Sequence, residues 1–183
     1  MLKGQQIYLR LLEESDLPLR VKWINTDEIR STLMFDYPLS IAKTRQWFSN
    51  TLMDSTKVHF SIVDNESEKV IGMTGFIDIN VKHQRSQFYI TIGETEFWGR
   101  GIADEVLKIV LWYGFVELNL NKIYLYTLRN NERARKVYER NGFIEEGVLR
   151  QHYYCVGEMQ DLHQHSILKS DWLAITSRYD PEH

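Results

Sequence analysis

Two glycines one residue apart, Gly99 and Gly101, constrain this chain more than any other feature. They follow the alternating run Gln87-Phe88-Tyr89-Ile90-Thr91-Ile92-Gly93. They precede apolar residues at helical spacing, Val106, Val110 and Tyr113, widened by Leu107 and Leu111. The first period belongs to a strand and the second to a helix, so the stretch predicts strand, tight turn, helix. Without a Cβ, glycine lets the backbone bend sharply and approach a ligand closely. The first N–H groups of a helix lack intrahelical acceptors, and the macrodipole favours negative charge beside them. A phosphate-bearing ligand is therefore the leading reading of the turn, with a bare structural turn as the plain alternative. No Gly-Lys-Ser/Thr ending is present, which excludes a nucleotide-hydrolysing P-loop. Asp104 stands where a dinucleotide fingerprint has its third glycine.

The rest of the chain narrows the class. Its 183 residues suit one domain, and 43% hydrophobic and 13% aromatic content supply a core. A net charge of −3 gives no basic excess for a nucleic-acid or anionic-membrane partner. One cysteine, Cys155, excludes an internal disulfide and any cysteine-based metal cluster. The opening residues lack an apolar signal segment, and no run approaches the roughly 18 apolar residues of a membrane span, so a soluble cytoplasmic protein is expected.

Read in order, residues 7–11 alternate as a strand, and 13–16 offer a cap for a helix through Trp23 and Ile24. Residues 27–38 are open between a short helix and an aromatic-rich loop. Ser40 caps a helix to about Met53. Strands at 58–63, 70–79 and 87–93, joined by short polar turns, make an antiparallel meander. After the glycine turn and its helix comes a strand at 122–127. Reached through a helix, it should run parallel to the strand before the turn. Asn131 caps a helix to about Arg140, and Asn141-Gly142-Phe143 stops it. Strands at 144–154 and 159–167 follow, with a turn at 155–158. Residues 1–168 form the expected single domain and 169–183 a tail, on which Trp172 is a docking candidate.

The second informative stretch is Asn131-Glu132-Arg133-Ala134-Arg135-Lys136-Val137-Tyr138, ending at Gly142-Phe143. On a helix, positions 131, 134 and 138 share a face, lining up an amide, a small residue and a phenol. Each has a plain reading too: a cap, a packing alanine, a buried tyrosine. The two stretches, about 30 residues apart, together resemble the GNAT family of acyl-CoA-dependent N-acetyltransferases. The likeness covers residues 6–168. The family's glycine motif reads Gln/Arg-x-x-Gly-x-Gly/Ala, and Gly101 and Ala103 match its fourth and sixth positions. Trp98 departs from the usual Gln or Arg, as in the RimJ/RimL-like and spermidine-acetyltransferase-like branches. Trp23-Ile24-Asn25-Thr26-Asp27 also looks like those branches and like amino-sugar acetyltransferases.

The resemblance implies an α+β fold: a mostly antiparallel sheet of six to seven strands with a central, splayed parallel pair and about four flanking helices. It implies acetyl-CoA as acyl donor, with no metal. The pyrophosphate would lie on the N–H groups around Trp98, Gly99, Arg100, Gly101, Ile102, Ala103 and Asp104. The pantetheine arm would pair with the backbone of Ile90, Thr91 and Ile92, where an N–H polarises the thioester carbonyl. Asn131 would hold the arm from its other side. Arg100, Arg133, Arg135 and Lys136 are candidate phosphate contacts, or simply solvated charges.

Transfer to an amine moves two protons. Tyr138 matches the family's tyrosine acid and, with an ordinary pKa near 10, is protonated at neutral pH. Glu94, directly after the strand, is the candidate base; Asp78, His83 and His152 are weaker ones, and a water chain serves in their absence. His163 and His165 alternate on one strand face but lack a third ligand for a metal. Cys155 has no partner to make it a nucleophile.

For the acceptor, the resemblance points to residues 25–37 and 151–158. Asp27, Glu28, Asp36 and Glu158 suit a cationic amine such as a polyamine or a protein N-terminus. Phe35, Tyr37, Tyr153 and Tyr154 suit a sugar or a base. The leading expectation is direct acetyl transfer to a primary amine within a ternary complex, the acceptor left open. A nucleotide-linked amino-sugar acetyltransferase is the narrower alternative. A CoA-binding sensor or partner module without turnover is the alternative of another class. A homodimer or larger homo-oligomer fits the family pattern.

Overall fold

The computed structural model describes residues 1–35, 38–155 and 157–177. In chain order the strands are β1 (Leu2–Lys3), β2 (Ile7–Leu11), β3 (Val58–Asp64), β4 (Val70–Asn80), β5 (Arg85–Ile92), β6 (Lys122–Leu128), β7 (Ile144–Cys155) and β8 (Glu158–Leu168). The helices are α1 (Leu17–Ile24), α2 (Asp27–Arg30), α3 (Ile41–Leu52), α4 (Ile102–Trp112), α5 (Glu132–Arg140) and α6 (Lys169–Thr176). A π-helical turn, Tyr113–Glu117, continues α4 and holds the buried Gly114. The chain falls into two compact units, Met1–Ile77 with Tyr89–Ile109, and Asp78–Phe88 with Val110–His183.

In the first unit the strand order is β1-β2-β3-β4-β5. β2 pairs antiparallel with β3 from Ile7–Asp64 to Leu11–Phe60, and β3 with β4 from Val58–Phe76 to Val63–Val70. Alternation in Ile7-Tyr8-Leu9 buries Ile7 and Leu9 completely. A cluster of Leu12, Leu17, Trp23, Ile29, Phe48 and Met73 packs α1, α2 and α3 onto β4. Leu17 is fully buried, and a side chain of that size contributes about 1.5–3 kcal/mol. Ser40 caps α3 by accepting from the Lys43 N–H at 3.2 Å, as its sequence position predicts. The residues before α1 form a 3-10 turn, and Asp16, at the N-cap of α1, makes no side-chain cap bond to the helix because its carboxylate is engaged elsewhere. Asp16 is buried and accepts from both Arg10 terminal nitrogens (2.7 and 2.8 Å), from Ser61 Oγ (2.7 Å) and from the Glu13 N–H (3.1 Å). Burial opposes its ionisation, yet these donors hold its carboxyl below the usual range.

In the second unit the order is β5-β6-β8-β7. The expected parallel pair is present: β5 and β6 pair from Arg85–Lys122 to Gln87–Tyr124. β6–β8 and β7–β8 are antiparallel. Phe115, Ile123 and Ile167 are fully buried. The fold is the expected mixed α+β arrangement, with eight strands and six α-helices among the described residues. The two-residue β1, the short α2 and the terminal α6 account for the larger numbers. α6 replaces the expected irregular tail because Asp171 accepts the Leu168 N–H (3.1 Å) and because Trp172 docks on Phe115, ring centroids 5.4 Å apart.

Candidate active site

The first unit carries the glycine turn. Gly99 and Gly101 have φ of +79° and +80°, a region that L-residues with side chains seldom enter. Beyond the flanking residues, no atom of the described residues lies within 4 Å of where a Cβ would sit at either position. The glycines are therefore required by backbone conformation, and the turn faces open space. Ile102 is buried and anchors the first turn of α4, while Gly99, Arg100 and Gly101 are exposed. Arg100 lies over the Phe97 ring at 5.1 Å. Glu105, one turn into α4, accepts from the Gln6 N–H at 2.9 Å and so ties the helix to the chain just before β2. Asp104 and Ala103 are half-buried beside it.

Along β5, Ser86 and Phe88 are buried, whereas Ile90, Thr91 and Ile92 are half-buried. Trp98 is turned inward: its indole N–H donates to the Ile92 carbonyl at 2.9 Å and its ring packs against the Leu17–Trp23 cluster. The strand end is closed by Gly93, buried under the Trp23 indole, where a Cβ would meet the ring. That close approach lets Trp23 Nε1 reach Glu94 Oε1 at 2.9 Å, and Lys22 Nζ donates to the same oxygen at 3.0 Å. Partial burial disfavours ionisation of Glu94. The bonds from Trp23 and Lys22 and the charges of Lys22 and Lys69 outweigh that and hold the carboxyl below its usual range. Glu94 is thus a firmly ionised, well-anchored carboxylate and a weak proton acceptor.

The second unit carries α5. Asn131 Oδ1 accepts the Ala134 N–H at 3.1 Å, the cap its position predicts. Tyr138 is buried, its ring 5.6 Å from Phe143 and 6.4 Å from His165. Its hydroxyl has no hydrogen-bond partner among the described residues. Burial raises its pKa above the ordinary tyrosine value. The other sequence candidates of this unit are engaged or exposed. Asp78 accepts from the Tyr124 hydroxyl at 2.7 Å, His163 bonds Glu145 at 2.9 Å, and His83 and His152 are exposed. Arg135 Nη1 lies 3.4 Å from His163 Nε2, and Arg133 and Lys136 are exposed. No group of three metal-ligating side chains exists among the described residues.

Of the acceptor candidates, Asp27 pairs with Arg30 at 2.8 Å, Glu28, Tyr154 and Glu158 are exposed, and Phe35 meets Arg20. Asp36 and Tyr37 lie outside the described residues. Sequence reasoning missed the anchoring of Glu94 by Lys22 and Trp23. Those residues stand about 70 positions away, and Trp23 alone reads as a core residue.

A glycine turn opening a helix directly after a strand, followed by a parallel partner strand and an asparagine-capped helix with a buried tyrosine, is the layout of a CoA-dependent acyltransferase. The chain belongs to the acetyltransferase (GNAT) family, whose domain matches residues 6–144. It is 32% identical over 171 residues to the spermidine N(1)-acetyltransferase of Vibrio cholerae, covering 93% of this chain and 97% of that protein. It is 28% identical over 178 residues to the enzyme of the same description from Escherichia coli K12, covering 95% and 92%. The crystal structure of the Vibrio cholerae spermidine N-acetyltransferase in complex with CoA and spermine superposes with a TM-score of 0.86 at 32% identity, over 92% of this chain and 98% of that one. The chain is accordingly an acetyl-CoA-dependent N-acetyltransferase. No helix among the described residues is long and apolar enough to cross a membrane.

Proposed function

We propose that this chain moves the acetyl group of acetyl-CoA to a primary amine of a polyamine. The amine attacks the thioester carbonyl directly, with both substrates bound. The observation that carries this reading is the glycine turn: two positive-φ glycines, Gly99 and Gly101, in open space at the start of an eleven-residue helix. Backbone N–H groups at 98–104 receive the pyrophosphate, and the Ile90–Thr91–Ile92 backbone receives the pantetheine arm. An N–H of that strand polarises the thioester carbonyl, and developing negative charge on its oxygen strengthens the bond in the transition state. Asn131 contributes a contact to the arm. Attack forms the new C–N bond, and the C–S bond breaks as the tetrahedral intermediate collapses. Tyr138 gives its phenolic proton to the leaving thiolate, a role that suits a hydroxyl whose burial keeps it protonated.

Glu94 is assigned the amine side of the site. Its Oε1 is held by Trp23 and Lys22, which leaves its second oxygen to accept a hydrogen bond from the ammonium or from a water that takes the proton. The polyamine acceptor rests on the spermidine acetyltransferases to which the chain is similar, and on the exposed carboxylates Glu28 and Glu158. The protein works as a soluble cytoplasmic enzyme, alone or as a homo-oligomer.

Release of CoA thiol from acetyl-CoA tests the proposal, run with spermidine, spermine, peptides bearing a free N-terminus and nucleotide-linked amino sugars. Turnover is expected with the polyamines. Exclusive turnover with another class overturns the acceptor. Glu94→Gln is expected to lower kcat/KM for the polyamine about three- to tenfold without moving its pH profile. An alkaline shift together with a loss above about a hundredfold would make Glu94 the principal base instead.

A further inference from the structure

Arg20 is a buried cation for which the described chain supplies no anion. It sits in the middle of α1 between Leu17 and Trp23, with only 9% of its surface exposed. Its Cζ lies 4.2 Å from the Trp47 ring centre and 5.1 Å from that of Phe35. It has no hydrogen bond or ion pair among the described residues. The carboxylates nearest in sequence and on the facing elements are already paired. Asp16, one turn before it, is held by Arg10 and Ser61, and Asp54 by Lys57 at 2.7 Å.

The surrounding polar groups are donors or neutral as well. The Trp47 ring is 5.1 Å from that of His59, and His59 Nδ1 is 2.6 Å from the Tyr89 hydroxyl. That contact uses one His59 nitrogen. The other, Nε2, is buried with no partner among the described residues. The field of Arg20 adds to burial in keeping His59 uncharged, and burial keeps Tyr89 protonated. Trp47 also lines an open groove of about 500 Å³ with Lys43, Lys57 and Asp54, which gives this corner an approach from solvent.

A buried charge is ordinarily compensated, because desolvation of an unpaired ion costs several kcal/mol. Stacking on aromatic rings returns only part of that. The ring contacts engage the faces of a guanidinium, whereas its N–H groups point out from its edge in a fork matched to a carboxylate.

We infer that Arg20, walled by Trp47 and Phe35, is a binding site for a carboxylate brought by a small molecule. The same chemistry has two sources: a free carboxylate that binds beside the reaction, or the carboxylate of an acceptor that also carries the amine. The second source would deepen the proposed function by adding amino acids to the acceptors. The first is independent of it.

Thermal unfolding and calorimetric titration of the full chain test this with propionate, alanine and inorganic phosphate, on wild type, Arg20→Met and Phe35→Leu. At a carboxylate concentration a hundredfold above Kd, the wild-type Tm is expected to rise by about 5–10 °C. Arg20→Met should show no rise, and its Tm without ligand should equal or exceed that of wild type, since it removes an unpaired buried charge. Phe35→Leu should weaken carboxylate binding about three- to tenfold. If alanine is also acetylated and Arg20→Met raises its KM, the acceptor is the source. Binding of propionate and alanine without acetylation of alanine gives the free carboxylate. Four results overturn the inference: no anion raises the wild-type Tm; phosphate raises it and carboxylates do not; Arg20→Met responds equally; or Asp36→Asn destabilises the chain while propionate has no effect, which places the anion within the protein. Spermidine-dependent thiol release is measured separately, so a failed carboxylate site and a failed polyamine reading leave different records.

Discussion

Two tyrosines, one in each unit, show how the same side chain meets different surroundings. Tyr89 on β5 is half-buried and Tyr138 on α5 is buried, and desolvation raises both pKa values. Tyr89 is 2.6 Å from His59 Nδ1 and belongs to a chain of contacts through Trp47 to Arg20. Tyr138 has ring neighbours on two sides and no hydrogen-bond partner for its hydroxyl among the described residues. Burial alone therefore does not mark an acid catalyst. The proposed acid differs from Tyr89 in that its hydroxyl has no acceptor among the described residues.

The comparison breaks most sharply at Tyr138. Tyr138→Phe removes the hydroxyl and keeps the ring contacts, so steady-state kinetics should show kcat reduced about a hundredfold or more. Acetyl-CoA affinity, measured by titration, should stay within about twofold. Unchanged turnover would reduce Tyr138 to a packing residue like its counterpart.

At Tyr89 the effect should appear in stability and depend on pH. His59 is pushed down to about 4, chiefly by burial and then by Arg20 and Lys57. Its folded pKa lies below the unfolded value near 6.5, so the unfolded chain takes up the proton first. Stability is complete above about pH 6.5 and is lost as pH falls toward 4, by about 3 kcal/mol in all. Urea unfolding across that range should show the slope, and His59→Gln should remove most of it. The smallest effect is Tyr89→Phe, which leaves His59 Nδ1 without its partner. It should cost about 1–2 kcal/mol at pH 7 and leave the fold intact by circular dichroism.

Features written into neighbouring residues are legible in the sequence alone. Ser40 and Asn131 act as helix caps at the positions their sequence neighbourhoods indicate, and Gly99 and Gly101 take the left-handed backbone that their placement before a helix requires. The parallel pairing of β5 and β6 followed from the intervening helix. Features that depend on distant partners were not legible. Asp16 resembles any helix-entry carboxylate until Ser61, 45 residues away, reaches it. Glu94 reads as a free turn carboxylate until Trp23 is seen to close on Gly93. Arg20 falls on the apolar stripe of α1 with Leu17 and Ile24, and only the placement of Phe35 and Trp47 shows what encloses its charge.

The contact at Gly142 gives the end of the chain a mechanical role. Ile175 of α6 sits where a side chain at position 142 would be, and the next residue, Phe143, is a ring neighbour of Tyr138. Helix α6 is thus a wedge behind the loop that carries the aromatic support of Tyr138. A chain ended at residue 168 would keep every residue assigned to chemistry. It would still lose the backing that fixes where the Tyr138 phenol points, so under the role proposed for Tyr138 its deficit should appear in turnover before it appears as unfolding.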